Sequence, residues 1–421
     1  MEKVLKPSVL CGAVDAIESK SHAHRLLIAA ALGDRPTKII CKNISKDIEA
    51  TAACLSAMGA EVERTDDGYA VSPVDRAAKR EGIRLPCGES GSTLRFLLPV
   101  AAALGGSYLF EMEGRLPARP LSPLYEILAD AGIKLSEQGV SPLSLEGGLN
   151  ACEFYISGDV SSQFISGLLF ACPLISDGCK IHLTTSLESR GYVDMTVSVL
   201  AQFGIFVEQS EADGHFTYTV HGSYRTPEKE LRAEGDWSNA AFWLCAGAIG
   251  SAPVAVRGLS DSSLQGDRVI IEILERLGAE IECSDGKICV SPAPLTACDI
   301  DVSNTPDLAP VLAVACACAA GTSTITGAKR LRMKESDRIA TTCHLINSLG
   351  GEAEELPDGI RIHGTGIVGG KVNAHNDHRI AMAAAIAAAA SADDICILGA
   401  EACEKSYPSF FEDFEKLSIV G

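Results

Sequence analysis

A chain of 421 residues, 47% hydrophobic and 22% charged, has the composition of a folded globular protein and is too long for one ordinary core, so two domains are expected. Its 36 Lys and Arg against 55 Asp and Glu leave a net charge of −19, the wrong sign for a general nucleic-acid binder. The longest apolar runs are broken by Asp, Gly or Pro short of membrane-spanning length, and the sixteen cysteines include no C-x-x-C pair, which argues against a zinc or redox motif.

Cys172, Cys245, Cys316 and Cys318 stand inside apolar stretches, where free cysteine acts as a small hydrophobe. The first residues lack a basic, apolar and cleavable sequence, so a cytoplasmic protein is expected. Aromatics are only 5% and alanine runs are plentiful, which favours tightly packed helices with small faces.

Two signals alternate along the chain. A small or polar cluster opens an Ala/Leu-rich helix at Ser19-Lys-Ser, Ser90-Gly-Ser, Ser161-Ser-Gln, Trp237-Ser-Asn, Asp307 and Asp377, at steps of 70–76 residues. A glycine closes a second helix before a strand at Gly59, Gly132, Gly204, Gly278 and Gly350, at steps of 72–74. Short β-like segments lie between, among them 38–41, 107–112, 180–183 and 253–257. The spacing predicts six α/β units. The helices after the first signal are apolar all round and so expected to be buried. Their N-termini carry unpaired N–H groups and the positive dipole end, an arrangement that binds anions.

Basic residues concentrate at those openings. Lys20, Ser21 and Arg25 form a set suited to phosphate and carboxylate. The stretch 88–95 is glycine-rich but is no Walker loop, because no G-K-[ST] follows. Arg119-Pro120 lies in a stiff basic loop, and Ser161-Ser162-Gln163 offers neutral hydrogen-bonding groups that alone read as a helix cap. Lys334 and Arg338 are i,i+4 and would share one helical face beside Glu335. Arg379 opens the apolar run 380–390 and needs an anionic partner there. Acids and bases thus sit among cations, a combination suited to proton transfer on a multiply anionic substrate.

Taken together, Ser19-Lys-Ser-x-x-x-Arg25, Ser90-Gly-Ser-Thr-x-Arg95, Arg119-Pro120, Asp159-Val-Ser-Ser-Gln-Phe164, Pro306-Asp307, Arg332-x-Lys-Glu-Ser-Asp-Arg338, Asn376-Asp-His-Arg379 and Lys405 resemble the 5-enolpyruvylshikimate-3-phosphate synthase family of enolpyruvyltransferases. The phrases run in the family's order over the full chain. The resemblance implies an α/β fold of two similar domains, each of three βαβαββ repeats with buried helices, an inside-out α/β barrel. It places residues 1–19 and 234–421 in one domain and 20–233 in the other, with the active site in the cleft between them. It implies transfer of the enolpyruvyl group of phosphoenolpyruvate to the 5-hydroxyl of shikimate 3-phosphate through a non-covalent tetrahedral intermediate, with no cofactor and no metal, by a monomer without nucleic-acid or membrane partners.

The same resemblance assigns roles. Lys20, Ser21, Arg25, Ser161, Ser162, Gln163, Ser189, Asp307 and Lys334 are implied to hold shikimate 3-phosphate. Lys20, Gly91, Arg119, Gln163, Arg338, Arg379 and Lys405 are implied to hold phosphoenolpyruvate, and Lys20, Asp307 and Glu335 to be catalytic. Glu89 departs from the family's usual asparagine and is expected to point away from the ligand or to meet a cation, leaving response to glyphosate open. The sister enzyme acting on UDP-N-acetylglucosamine normally has a cysteine in the loop that corresponds to 113–120, which here has none. A non-catalytic anion-binding relative would have lost Lys20, Asp307 or Glu335, and all three are present.

Overall fold

The structure is a computed structural model that describes residues 1–212, 215–284 and 286–419. Its contacts divide the chain into two compact units, a continuous inserted unit, Lys20–Ala233, and a split unit made of Met1–Ser19 and Glu234–Gly421.

The inserted unit contains α1 (Lys20–Ala31), α2 (Lys46–Ala57), α3 (Gly91–Leu104), α4 (Leu124–Asp130), α5 (Ser162–Ile175) and α6 (Arg190–Gln202). Ile83–Gly88 pairs in parallel with Gly106–Met112, which continues antiparallel to Leu143–Gly147 and then Lys134–Leu135. Glu153–Ile156, Cys179–Leu183, His215–His221 and Phe206–Ala212 repeat that pattern. In the remaining sheet, Thr37–Ile40, Gly68–Ser72 and Glu61–Thr65 take their parallel edge strand, Leu231–Arg232, from the far end of the unit. α1, α3 and α5 are covered almost all round, while α2, α4 and α6 bury one side. A side chain at Gly167 would run into the Arg95 carbonyl, so glycine there lets α5 lie close on α3.

The split unit contains α7 (Trp237–Ile249), α8 (Ile270–Leu277), α9 (Ala309–Ala317), α10 (Arg338–Ser348), α11 (His378–Ala387) and α12 (Phe410–Leu417). Gly12–Asp15 lies parallel to Val254–Arg257, followed by Lys287–Ser291 and Glu280–Ser284. Ile300–Asp301, Thr322–Thr326, Gly359–His363 and Glu352–Leu356 form a second sheet in the same order. Gly370–Asn373 pairs in parallel with Ile395–Leu398, whose other edge takes Glu2–Leu5. α7, α9 and α11 are the buried helices here. α8 instead shows the stripe Ile270, Ile273, Leu274, Leu277, the spacing of a one-sided surface helix.

Gly59, Gly132, Gly204, Gly278 and Gly350, which follow α2, α4, α6, α8 and α10, have φ between +78° and +103°. In that left-handed region a Cβ is strained, so the spacing marks a conformational requirement. The strand segments fall at Thr37–Ile40, Gly106–Met112, Cys179–Leu183 and Val254–Arg257, within a residue of the expected ones. One expectation is corrected: Lys334 and Arg338 share no helix, because Lys329–Met333 is a 3-10 turn ending at Lys334 and α10 begins only at Arg338. Among the described residues, no helix is long and apolar enough to cross a membrane.

Candidate active site

In the inserted unit the expected residues cluster at the starts of the buried helices. Lys20 is the first residue of α1, and its Nζ lies 2.9 Å from Oδ2 of Asp47 in the first turn of α2. One turn on, Arg25 is 2% exposed and donates from Nε to Thr196 Oγ1 (2.7 Å), from Nη1 to the Ser21 carbonyl (2.6 Å), and from Nη2 to the Tyr192 carbonyl (2.9 Å) and Ser166 Oγ (3.5 Å). All four acceptors are neutral. Burial therefore pushes the guanidinium down to about 9, against a small opposing effect of Tyr192. A buried cation without a carboxylate partner is stabilised by an anion.

Ser90 and Ser161 cap α3 and α5, their side chains accepting from the N–H groups of Thr93 and Gln163. Ser162 opens α5, and Ser189 precedes α6 in the left-handed conformation (φ 54°). A Cβ at Gly91 would lie 2.6 Å from Arg95 Nη1 and 2.7 Å from Arg119 Nη1. Two guanidiniums therefore converge on the first residue of α3, at the positive end of a buried helix. Arg95 Nη1 also donates to Gln163 Oε1 (3.3 Å), and Gln163 Nε2 to Ser92 Oγ (2.9 Å), tying α3 to α5. The Glu89 carboxylate instead folds over Gly114.

In the split unit one carboxylate gathers three cations. Asp307, in the turn Pro306–Leu308 ahead of α9, has Oδ1 2.6 Å from Arg338 Nη1 and 3.5 Å from Lys334 Nζ, and Oδ2 3.7 Å from Arg379 Nη2. Burial opposes its ionisation, but the charges of Lys334, Arg379 and Arg338 hold it well below the usual carboxylate range. Arg338, 1% exposed, also reaches Glu335 Oε2 at 2.7 Å and Asp377 Oδ2 at 2.8 Å. Burial disfavours its charge, yet the three carboxylates raise it above the ordinary arginine value.

Asp377 caps α11 by accepting from the Arg379 N–H (2.9 Å), and Asp236 caps α7. Arg379 Nη1 donates to the Ser238 carbonyl (3.1 Å), while its Nε finds no acceptor among the described residues. Lys405 Nζ donates to the Asn376 carbonyl (2.8 Å), and His375 and Asn376 both have positive φ (51° and 57°). Serine caps α3 and α5 in the inserted unit, whereas aspartate caps α7 and α11 in the split unit, where the carboxylate offsets the positive end of the helix.

Sequence reasoning missed the partners. Asp47 looks like an ordinary first-turn acid of α2, and nothing local says that it meets Lys20. Arg95 stood in the family phrase Ser90-Gly-Ser-Thr-x-Arg95 but was given no role. Asp267, 1% exposed, sits in the turn Gly266–Val269 within the electrostatic reach of Asp307, Arg379 and Asp236. Burial, then the charge of Asp307, pushes its carboxyl up to about 6. An acid raised this way stabilises the fold below its unfolded pKa near 4 and loses that contribution as pH rises through about 6. Asp267→Asn is thus expected to gain up to about 3 kcal/mol on the wild type between pH 4 and 7, measured by denaturant unfolding at both pH values; a pH-independent difference would show that the carboxyl ionises normally.

Residues 4–414 match the family model of EPSP synthase (3-phosphoshikimate 1-carboxyvinyltransferase). The chain belongs to the EPSP synthase family. A relative from Clostridium kluyveri named 3-phosphoshikimate 1-carboxyvinyltransferase is 41% identical over 416 residues, covering 98% of this chain and 96% of that one. A protein of the same name from Clostridium perfringens is 39% identical over 424 residues, covering 100% and 99%. The solved EPSP synthase of Acinetobacter baumannii matches with a TM-score of 0.80 at 25% identity, covering 100% of this chain and 98% of that one. Within the EPSP synthase family match fall both clusters, including Lys20, Asp307 and Glu335.

Proposed function

We propose that this chain is a 3-phosphoshikimate 1-carboxyvinyltransferase, transferring the enolpyruvyl group of phosphoenolpyruvate to the 5-hydroxyl of shikimate 3-phosphate with release of phosphate. The observation that carries this reading is the convergence of the Arg95 and Arg119 guanidiniums on the start of α3. Like charges gathered at a positive helix end call for a strongly anionic ligand, and the family match over residues 4–414 supplies its chemistry.

Phosphoenolpyruvate is held by Lys20, Arg119, Gln163, Arg338, Arg379, Lys405 and the backbone at Gly91. Shikimate 3-phosphate is held by Lys20, Ser21, Arg25, Ser161, Ser162, Gln163 and Ser189, with Asp307 and Lys334 toward its ring. Both sets serve one substrate pair, and each unit is an inside-out barrel of three repeats. Glu335 protonates the methylene carbon, which makes C2 electrophilic. The 5-hydroxyl, oriented by Asp307, adds to C2 and passes its proton to the substrate's phosphate group. Glu335 then takes a proton back from the new methyl group, the C2–O bond to phosphate breaks, inorganic phosphate departs, and the enol ether remains. The cations stabilise charge that shifts toward the departing phosphate. The protein works as a cytoplasmic monomer on small molecules, its net charge of −19 disfavouring nucleic acid.

The test is phosphate release from phosphoenolpyruvate, with shikimate 3-phosphate and UDP-N-acetylglucosamine offered separately. Release with shikimate 3-phosphate alone is expected. Release with the UDP-sugar would move the chain to the sister activity, and silence with both from folded protein would leave an anion-binding relative. Gly91→Ala is a narrower check. The methyl displaces the flexible ends of Arg95 and Arg119, so the KM for phosphoenolpyruvate should rise about 10- to 100-fold, with little loss of fold by circular dichroism.

A further inference from the structure

Behind the cations of the inserted unit runs a line of buried polar side chains that contact no substrate in the reading above. His24 of α1 has Nδ1 2.7 Å from Thr51 Oγ1 of α2, Thr51 Oγ1 is 2.6 Å from Thr93 Oγ1 of α3, and Thr93 Oγ1 donates to Ser90 Oγ at 2.7 Å. All four side chains are fully buried.

The protons of this line can be placed by counting. A hydroxyl has one proton, and the Thr93 proton goes to Ser90, its contact to the Asp47 carbonyl being longer at 3.5 Å. Thr51 must then donate to Thr93, and the His24 ring must donate to Thr51. The other tautomer would make Thr51 donate to the ring. That would leave two oxygens 2.6 Å apart with no proton between them. His24 is thus the Nδ1–H tautomer, and its Nε2, which has no partner among the described residues, is a bare lone pair. Burial, aided by the charges of Lys20 and Arg25, holds the ring well below the usual histidine value, so it stays neutral.

The line ends at the cap of α3. Ser90 Oγ accepts from both the Thr93 hydroxyl and the Thr93 N–H (3.3 Å), which locks the first turn of the helix. The first N–H groups of a helix have no intrahelical partner and are the ones a ligand meets.

We propose that His24, Thr51 and Thr93 form a one-way hydrogen-bond relay that fixes the Ser90 hydroxyl and thereby the start of α3 against phosphoenolpyruvate, Thr93 being the positioning residue. The proposal rests on the reading that phosphoenolpyruvate binds at Gly91. It predicts that Thr93→Val, which keeps the shape and removes the hydroxyl, raises the KM for phosphoenolpyruvate about tenfold. The kcat and the KM for shikimate 3-phosphate should stay within about threefold of wild type. Thr93→Ser should restore the wild-type KM, and Thr51→Val should reproduce the defect if Thr93→Val folds poorly.

Nitrogen-15 NMR of the imidazole rings supplies a readout independent of turnover. His24 should be the Nδ1–H tautomer in the wild type and lose that preference in Thr93→Val. An Nε2–H tautomer in the wild type would overturn the relay whether or not the chain uses phosphoenolpyruvate. A Thr93→Val protein with lower thermal stability but unchanged KM would overturn the positioning role, as would a serine variant no better than valine.

Discussion

Replacing Lys20 with methionine is expected to lower kcat by about 10²- to 10³-fold, the usual cost of removing one aligned donor from developing charge, while the fold is kept. Methionine keeps the apolar stem of lysine and removes the ammonium. The partner left behind, Asp47, stands in the first turn of α2, where the helix dipole favours a carboxylate. The Lys20 and Asp47 side chains are 15% and 13% exposed, so the pair is mostly buried, and the helix end offsets part of the cost of leaving the carboxylate alone. The stability change should therefore be about 1–3 kcal/mol. Steady-state phosphate release and thermal unfolding measure the two halves of this prediction. Near-normal turnover would remove Lys20 from the catalytic set.

Arg338→Met should fail in the opposite way, through the fold. Its guanidinium is the shared partner of Asp307, Glu335 and Asp377, and Asp377 has no exposed surface. Without it three carboxylates face one another around an apolar side chain. Breaking a buried ion pair from one side typically costs about 3–5 kcal/mol. Arg338→Lys should recover less than half of that, because one ammonium cannot meet three acceptors in the directions that Nε, Nη1 and Nη2 serve. The pH dependence has a definite sign. Asp307 is held below its unfolded pKa by cations, so its contribution in the wild type is present above about pH 4 and lost as pH falls. The variant should instead gain on the wild type as acid neutralises the crowded carboxylates. Urea unfolding at pH 5 and pH 8 decides the matter; equal deficits at both would mean that the carboxylates had separated in the variant.

What could be read in the sequence was local. The glycines that close α2, α4, α6, α8 and α10 were legible because a positive φ is a requirement of one residue. Ser90, Ser161 and Asp377 were legible as helix starts because a cap acts over two or three residues. The clustering of Lys334, Glu335, Arg338 and Arg379 on Asp307 was reached through the family resemblance. The local argument for it, a shared helical face, was wrong, since the chain bends at 334–337 and lets the side chains converge from two elements. Asp47 and the His24–Thr51–Thr93 line were out of reach because their partners lie tens of residues away, and only packing of α1, α2 and α3 brings them together; Asp267 was out of reach likewise, its charged neighbours Asp236, Asp307 and Arg379 being just as distant in sequence.

The strand pairings of the split unit also set an order of events during synthesis. Lys20–Ala233 is one uninterrupted stretch and can complete its core as soon as Leu231–Arg232 closes the sheet on Thr37–Ile40. Gly12–Asp15 must wait for Val254–Arg257, and Glu2–Leu5 for Ile395–Leu398. At about 5–20 residues per second, the second wait spans tens of seconds on the ribosome. Throughout it the first strands of the protein are unpaired edges, exposed to chaperones and to one another, while the stretch that follows them can already have folded.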